Sequence, residues 1–339
     1  MITSHENDLI FLLGAGASVD AGLPTVDQLT KQLRTRLPEL SDVNGIHRPE
    51  FGEVFNLIEA YDPLVGRNYE RFFEWIKLLL DCQKEPFRKI IETKISAALI
   101  EAMAHLPFVI GGEISRLLDS IKSMPDYLTR LADFLPEKGR LKVFTINYDC
   151  CVEDACRIEG IDVTTGFDSV KRKWKPSLFQ SKSKGVNLYK LHGSLRWNSM
   201  RDLRLSGDRF QYNLVPMELQ LEQRSNIPGY IDVHPGGWLV LGPGNKIQSD
   251  DPFITLFYEF HRSLHGAKVC VVIGYSYQDP HINTVLDLGI DRGVSLVDAN
   301  SGGPCGRYLA SKRYYPIRLT AKNALMSGAI KSKIEELKQ

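Results

Sequence analysis

Residues Leu9-Ile10-Phe11-Leu12-Leu13 form an apolar run that passes directly into Gly14-Ala15-Gly16-Ala17-Ser18. The run reads as a buried strand and the glycines as a tight turn. The next residues, Val19-Asp20-Ala21-Gly22-Leu23-Pro24, read as the start of a helix that is soon interrupted. A strand, a Gly-x-Gly turn and a helix start together make an anion cradle. Glycine lets the backbone approach a phosphate closely, and N–H groups at the helix start donate to it. The dinucleotide fingerprint wants a third glycine where Val19 stands, and the Walker ending is absent. By itself the motif therefore also fits an ordinary turn between strand and helix.

Further along, apolar runs alternate with helical patterns. Strands are expected at Leu141 to Thr145, Gly185 to Leu191, Trp238 to Leu241, Val269 to Ile273 and Val294 to Val297. Helical spacing marks Cys150 to Glu159 and Phe253 to Leu264. This alternation predicts an α/β fold, a Rossmann-like parallel sheet with helices on both faces. A large helical insertion is expected at about 26 to 140. In it Phe72, Phe73, Trp75, Ile76, Leu79 and Leu80 fall at helical spacing as core. Pro86, Pro107 and Pro125 are expected to divide it into separate helices. An irregular insertion is expected at about 195 to 237. One domain then spans residues 1 to 325, with a polar C-terminal tail from 326 to 339.

Several predicted strands end in small or polar residues: Gly14, Asn147, His192, Gly274 and Asp298. In an open parallel sheet the ligand crevice lies outside the carboxyl ends of the strands. These scattered residues should therefore meet in one cleft. Asp298 reads either as a partner for ribose hydroxyls or as a helix cap or turn residue.

The charge balance, 42 basic against 41 acidic residues in a chain of 339, gives no sign of a nucleic-acid or membrane surface. The first residues lack the regions of a signal peptide, and no apolar run is expected to be long enough to cross a bilayer. Six cysteines without a Cys-x-x-Cys pair argue against a zinc ribbon and for reduced thiols in a cytoplasm. Cys270, inside a strand pattern, reads as core. His261 and His265 stand four apart on a predicted helix, but the zinc-protease motif is absent, so they read as a surface pair. His281, after Asp279-Pro280, reads as near the cleft or as a helix cap, outside the catalytic set.

Four motifs in order carry a family resemblance. Gly14-Ala15-Gly16-Ala17-Ser18 with Ala21-Gly22-Leu23-Pro24, Thr145-Ile146-Asn147-Tyr148-Asp149, Leu191-His192-Gly193-Ser194 and Gly274-Tyr275-Ser276 resemble those of the sirtuins. The two Cys-x-x-Cys pairs of sirtuin deacetylases are missing, and Ile146 replaces their usual Gln. The pattern is similar to the zinc-free, sirtuin-like NAD-hydrolysing effectors of bacterial anti-phage defence. Asp279 after Gly-Tyr-Ser, together with Pro243 and Lys246, fits that branch.

The resemblance implies NAD as substrate, with no metal. Gly14, Ala15, Gly16, Ala17 and Ser18 would hold the pyrophosphate, Gly274 and Ser276 a phosphate or ribose, and Asp298 the adenosine ribose. Asn147 would orient a water or the ribose, and its amide cannot titrate. His192 would act as base, with an ordinary pKa of about 6.5 suited to that work. Asp149 would contact the nicotinamide side or brace its loop. The activity implied is NAD glycohydrolysis to nicotinamide and ADP-ribose. An NAD-dependent protein deacylase and a non-catalytic NAD or ADP-ribose sensor are the alternatives. Such an enzyme needs restraint, by a homo-oligomer or by a partner such as a HerA-type ATPase.

Overall fold

The computed structural model describes residues 8–82, 95–121, 124–202, 214–219, 230–232, 238–242 and 250–338. In chain order its strands are β1 (Leu9–Leu13), β2 (Arg140–Thr145), β3 (Val163–Thr164), β4 (Gly185–Lys190), β5 (Gly193–Ser194), β6 (Trp197–Asp202), β7 (Leu214–Glu218), β8 (Tyr230–Asp232), β9 (Trp238–Leu239), β10 (Val269–Ile273), β11 (Ser295–Ala299) and β12 (Tyr314–Ile317). Seven of them form one parallel sheet in the order β12-β11-β10-β1-β2-β4-β3. β1 lies at its centre, with Leu9 opposite Val269 on one side and Ile10 opposite Lys142 on the other.

Alternation along the strands divides the sheet's side chains between two cores. Phe11, Leu13, Val143, Leu188 and Val271 face one side and pack with Tyr127, Leu131, Ala155 and Ala324. Ile10, Leu12, Phe144, Tyr189 and Val272 face the other and pack with Leu256, Phe260, Ile282 and Leu286. The continuous apolar runs follow from burial on both faces. Cys270 is fully buried in the second core, and the six cysteines carry free thiols.

The helical region between β1 and β2 has a third core of its own. Helices Val26–Arg36, Glu50–Tyr61, Tyr69–Asp81 and Ala97–Asp119 bury Leu33, Phe51, Phe55, Phe72, Ile76, Leu106 and Ile110 together. Thr25 and Gln28 start the first helix with a reciprocal capping box. Of the aromatic stripe, Phe72 and Ile76 are buried, while Phe73, Trp75, Leu79 and Leu80 pack around them.

Four expectations need correction. Pro107 does not divide two helices; it sits inside Ala97–Asp119. Burial of Met103, Leu106, Ile110 and Ile114 outweighs the proline's cost of about 3 kcal/mol. By length and composition that same helix is apolar enough to cross a bilayer, contrary to the reading that no run is, and it packs in the third core. The C-terminal segment is not simply a polar tail. Ala329–Lys338 is a helix whose Ile330 and Ile334, one turn apart, are buried against the sheet. Within 195 to 237, β6, β7 and β8 form an antiparallel ladder. Pro86 lies outside the described residues. β12 escaped the sequence reading because Pro316 interrupts it, which an edge strand tolerates.

Candidate active site

The chain leaves β1 toward β2 on one side of the sheet and continues from β10 to β11 on the other. The crevice of a doubly wound sheet opens at such a reversal. A cleft of about 520 Å³ lies there, lined by Ala15, Gly16, Ser18, Asn147, Asp149, His192, Gly274, Ser276, Asp279 and Asn300 among others. A larger cavity, about 1170 Å³, lies at the opposite edge beside Asp8, Leu9, Arg140 and Lys268. It gathers the starts of strands, where no strand-end loops converge, so the smaller cleft is the candidate site.

The glycine turn is shaped first by its neighbour. A Cβ on Gly14 would stand 2.6 Å from the Tyr275 Cα, and one on Gly16 would stand 2.8 Å from the Gly274 Cα. Both glycines thus permit close approach of the loop after β10. The expected row of free amides is also corrected. Gly14 N–H donates to Ile273 O (2.9 Å), Gly16 N–H to Gly274 O (2.8 Å), Ala17 N–H to Gly14 O (2.8 Å) and Ser18 N–H to Ala15 O (3.0 Å). Ala15, exposed at the cleft, keeps the turn's one amide without an acceptor among the described residues.

Asn147 follows β2. Its Nδ2 donates to Gly14 O at 2.9 Å and to Ser18 Oγ at 3.0 Å. Nitrogen must face the Gly14 carbonyl, because two oxygens cannot bond to each other. Both amide protons are then used, and among the described residues Oδ1 has no protein donor. Ser18 in turn donates to Asp149 Oδ2 at 2.8 Å, and Asp149 Oδ1 accepts the Cys151 N–H at 2.9 Å. Asp149 therefore braces its loop, one of the two roles expected of it. Below it, the fully buried Lys190 ammonium donates to the Asp149 carbonyl and, at 2.8 Å, to Glu153 Oε1. Burial opposes its charge, but Glu153 and its neighbours hold the ammonium's pKa above the ordinary value.

His192 follows β4 and is 2% exposed. Its Nε2 lies 3.1 Å from Nε2 of His281 and 4.0 Å from Asp279 Oδ1. The three ligand-type groups cluster within 4.8 Å. One ion with bonds of about 2.0–2.2 Å would have to open its angle to about 130° or more, beyond the tetrahedral value, to span the 4.0 Å separation. The 3.1 Å contact is that of a hydrogen bond between imidazoles. The cluster reads as a hydrogen-bonded pair beside a carboxylate.

On the far flank, Gly274 has φ of 63° and fits against Ala17, and Ser276 is exposed at the cleft. Asp298 does not take its expected place. It is 1% exposed and accepts from the Tyr314 hydroxyl at 2.5 Å, on the face that packs Leu296 and Tyr314. Burial pushes its carboxyl up to about 6, against the pull of Tyr314 and Tyr277. Asn300, two residues on, reaches the cleft instead and donates to Tyr275 O at 2.9 Å.

Sequence reasoning left out His281 and Asn300, and it did not foresee that Arg67, Tyr69 and Glu70 of the helical region would line the cleft. Asp279 at the N-cap and Pro280 at the first helical position mark a helix start after β10. A histidine in that first turn was the available signal. Pro243 and Lys246 lie outside the described residues. His261 and His265 stand on helix Phe253–Gly266, His265 exposed.

Residues 141–294 match the family model described as a SIR2-like domain. That interval holds Asn147, His192 and the loop after β10. No curated protein matches the chain. Among solved structures it is similar to a Sir2 homologue in complex with NAD, at 15% identity over 98% of this chain and 92% of the other, TM-score 0.41. It is also similar to a mutant Sir2 homologue in complex with ADP ribose, at 15% identity over 98% and 95%, TM-score 0.45. A third is a Sir2 protein bound to a propionylated peptide, at 11% identity over 96% and 94%, TM-score 0.38.

Proposed function

We propose that this chain is an NAD glycohydrolase that cleaves the nicotinamide–ribose bond to give nicotinamide and ADP-ribose. The observation that carries this reading is the meeting of Asn147, His192 and the Gly14–Ser18 turn in one cleft. The match of residues 141–294 to a SIR2-like domain supports it. Nicotinamide leaves as a neutral base, and the ribose becomes oxocarbenium-like, as in glycoside cleavage. The Asn147 carbonyl oxygen accepts a proton of the attacking water or of a ribose hydroxyl and so fixes it in line. His192 takes the proton as the new C–O bond forms. Of the charged residues lining the cleft, Asp27, Glu70, Asp149 and Asp279 outweigh Arg67. That sign suits a cationic nicotinamide and a developing oxocarbenium ion.

Incubating the purified protein with NAD and following nicotinamide and ADP-ribose tests the proposal. Asn147→Ala and His192→Ala are expected to lower turnover by about 100-fold or more while the fold is retained. Turnover of an acyl-lysine peptide to O-acyl-ADP-ribose would replace this reading with a protein deacylase. Tight binding of intact NAD without turnover would replace it with a sensor. We further propose that the activity serves NAD depletion in anti-phage defence, restrained by self-assembly or by a partner such as a HerA-type ATPase. Solution mass, and NAD loss with and without that partner, test this. A monomer with full activity alone would overturn the restraint.

A further inference from the structure

The pairing of His192 with His281 carries more than the assignment of one base. The two Nε2 atoms stand 3.1 Å apart, and the rings are 2% and 8% exposed. At that distance the two nitrogens cannot both carry protons. One ring presents Nε2–H, and the other accepts on Nε2 and keeps its proton on Nδ1. The contact couples the two tautomers, and a base at the cleft requires His192 to be the donor, with Nε2–H toward His281 and its own Nδ1 unprotonated. Two adjacent imidazolium cations in so buried a place would repel strongly, so a second proton is disfavoured.

A carboxylate stands beside the pair. Asp279, 7% exposed, holds Oδ1 4.0 Å from His192 Nε2. Glu70 and the buried phenols of Tyr69 and Tyr148 interact electrostatically with one another, and both phenols also feel Asp279. Helix Phe253–Gly266 contributes the Phe257 ring, 5.9 Å from that of His281. His192 and Asp279 line the cleft, and His281 stands behind them in the first turn of helix Pro280–Asp291.

We propose that His281 is the proton partner of His192: the two imidazoles work as one base that takes up a single proton, whose charge rests beside Asp279. When a hydroxyl or water in the cleft gives a proton to Nδ1 of His192, its oxygen keeps the electron pair of the broken O–H bond. The proton between the two Nε2 atoms can then move toward His281, so the positive charge spreads away from the ribose. No other reactant is needed. His281 acts through His192 and is a positioning residue.

The kinetic arm of the test rests on the glycohydrolase reading; the spectroscopic arm does not. His281→Gln keeps a hydrogen-bond acceptor, its amide oxygen, at similar size but cannot take up a proton. It is expected to lower kcat for NAD about 10- to 100-fold with KM within about twofold. The acid limb of the kcat profile should move to lower pH, because the proton on His192 can no longer be shared with a second basic nitrogen. An unchanged acid limb, or equal changes in KM and kcat, would overturn the proposal. In the wild-type protein, imidazole ¹⁵N shifts of the two histidines should change together for one proton, with the second entering in a separate step at lower pH. Two independent curves near the ordinary value of about 6.5 would overturn it even if the protein never cleaves NAD. Coupled curves in a protein without NAD turnover would sustain the pairing and remove only the glycohydrolase reading.

Discussion

The two flanks of the cleft are held by different forces. On the β2–β4 flank, loops are fastened by side chains. Asn147, Ser18 and Asp149 form a hydrogen-bonded chain, and the Lys190–Glu153 ion pair anchors it from below. On the β10–β11 flank, the loop is fastened largely by backbone fit and neutral contacts: Gly274 against the first turn, Asn283 donating to Tyr277 O at 2.8 Å, and Asn300 donating to Tyr275 O. The flank held by polar side chains carries Asn147 and His192. The flank held by shape carries Gly274 and Ser276, together with Asp279 and His281, which meet His192 across the cleft. Polar bracing places Asn147, whereas close backbone approach places the loop after β10.

Breaking either flank should cost most. Lys190→Met leaves the largely covered Glu153, its side chain 11% exposed, without its ammonium, and stability is expected to fall by about 3 kcal/mol in urea unfolding. A neutral result would mean that charge does not hold this flank. Gly274→Ala attacks the second flank through sterics and a positive φ, and should cost about 3 kcal/mol by the same measurement. Combining the two substitutions sharpens the contrast. If the flanks are independent, their effects add to within about 0.5 kcal/mol.

A smaller effect concerns Asp298. Its folded-state pKa, about 6, lies above the ordinary carboxylate value, so the folded protein binds this proton more tightly than the unfolded chain. The stability it confers is present below about pH 4 and is lost as pH rises through about 6. Asp298→Asn, whose amide oxygen still accepts from Tyr314, should remove that dependence. Variant stability relative to wild type should rise by about 2 kcal/mol between pH 4 and 6, read from urea midpoints. A flat difference would show that the carboxyl is not desolvated as the fold implies. The smallest effect belongs to Tyr148, whose hydroxyl donates to Val240 O at 2.9 Å from a buried position. Tyr148→Phe should cost about 1 kcal/mol.

Much of the sheet was legible because its strands are buried on both faces and therefore read as unbroken apolar runs. Leu9–Leu13 and Val269–Ile273 have the bounds that their composition suggests. The strand ends that supply Asn147 and His192 were legible for the same reason. Asp298 was misplaced because β11 runs on to Ala299, so residue 298 is still inside the strand, on the face of Leu296, and Asn300 is the first residue beyond it. Composition does not say at which residue the strand ends. His281 was passed over because its partner lies 89 positions away. Ile330 and Ile334 were hidden in a polar stretch, where two apolar residues are too few to reveal a period.

By itself the sequence determined where strands and turns stand, since burial and glycine requirements are local in the chain. The third dimension decided which of the strand-end residues share a cleft, which amides of the glycine turn remain open, and that His192 meets a second imidazole. Those outcomes depend on strand order and register, and hydrogen bonding between distant segments fixes them only when the sheet closes.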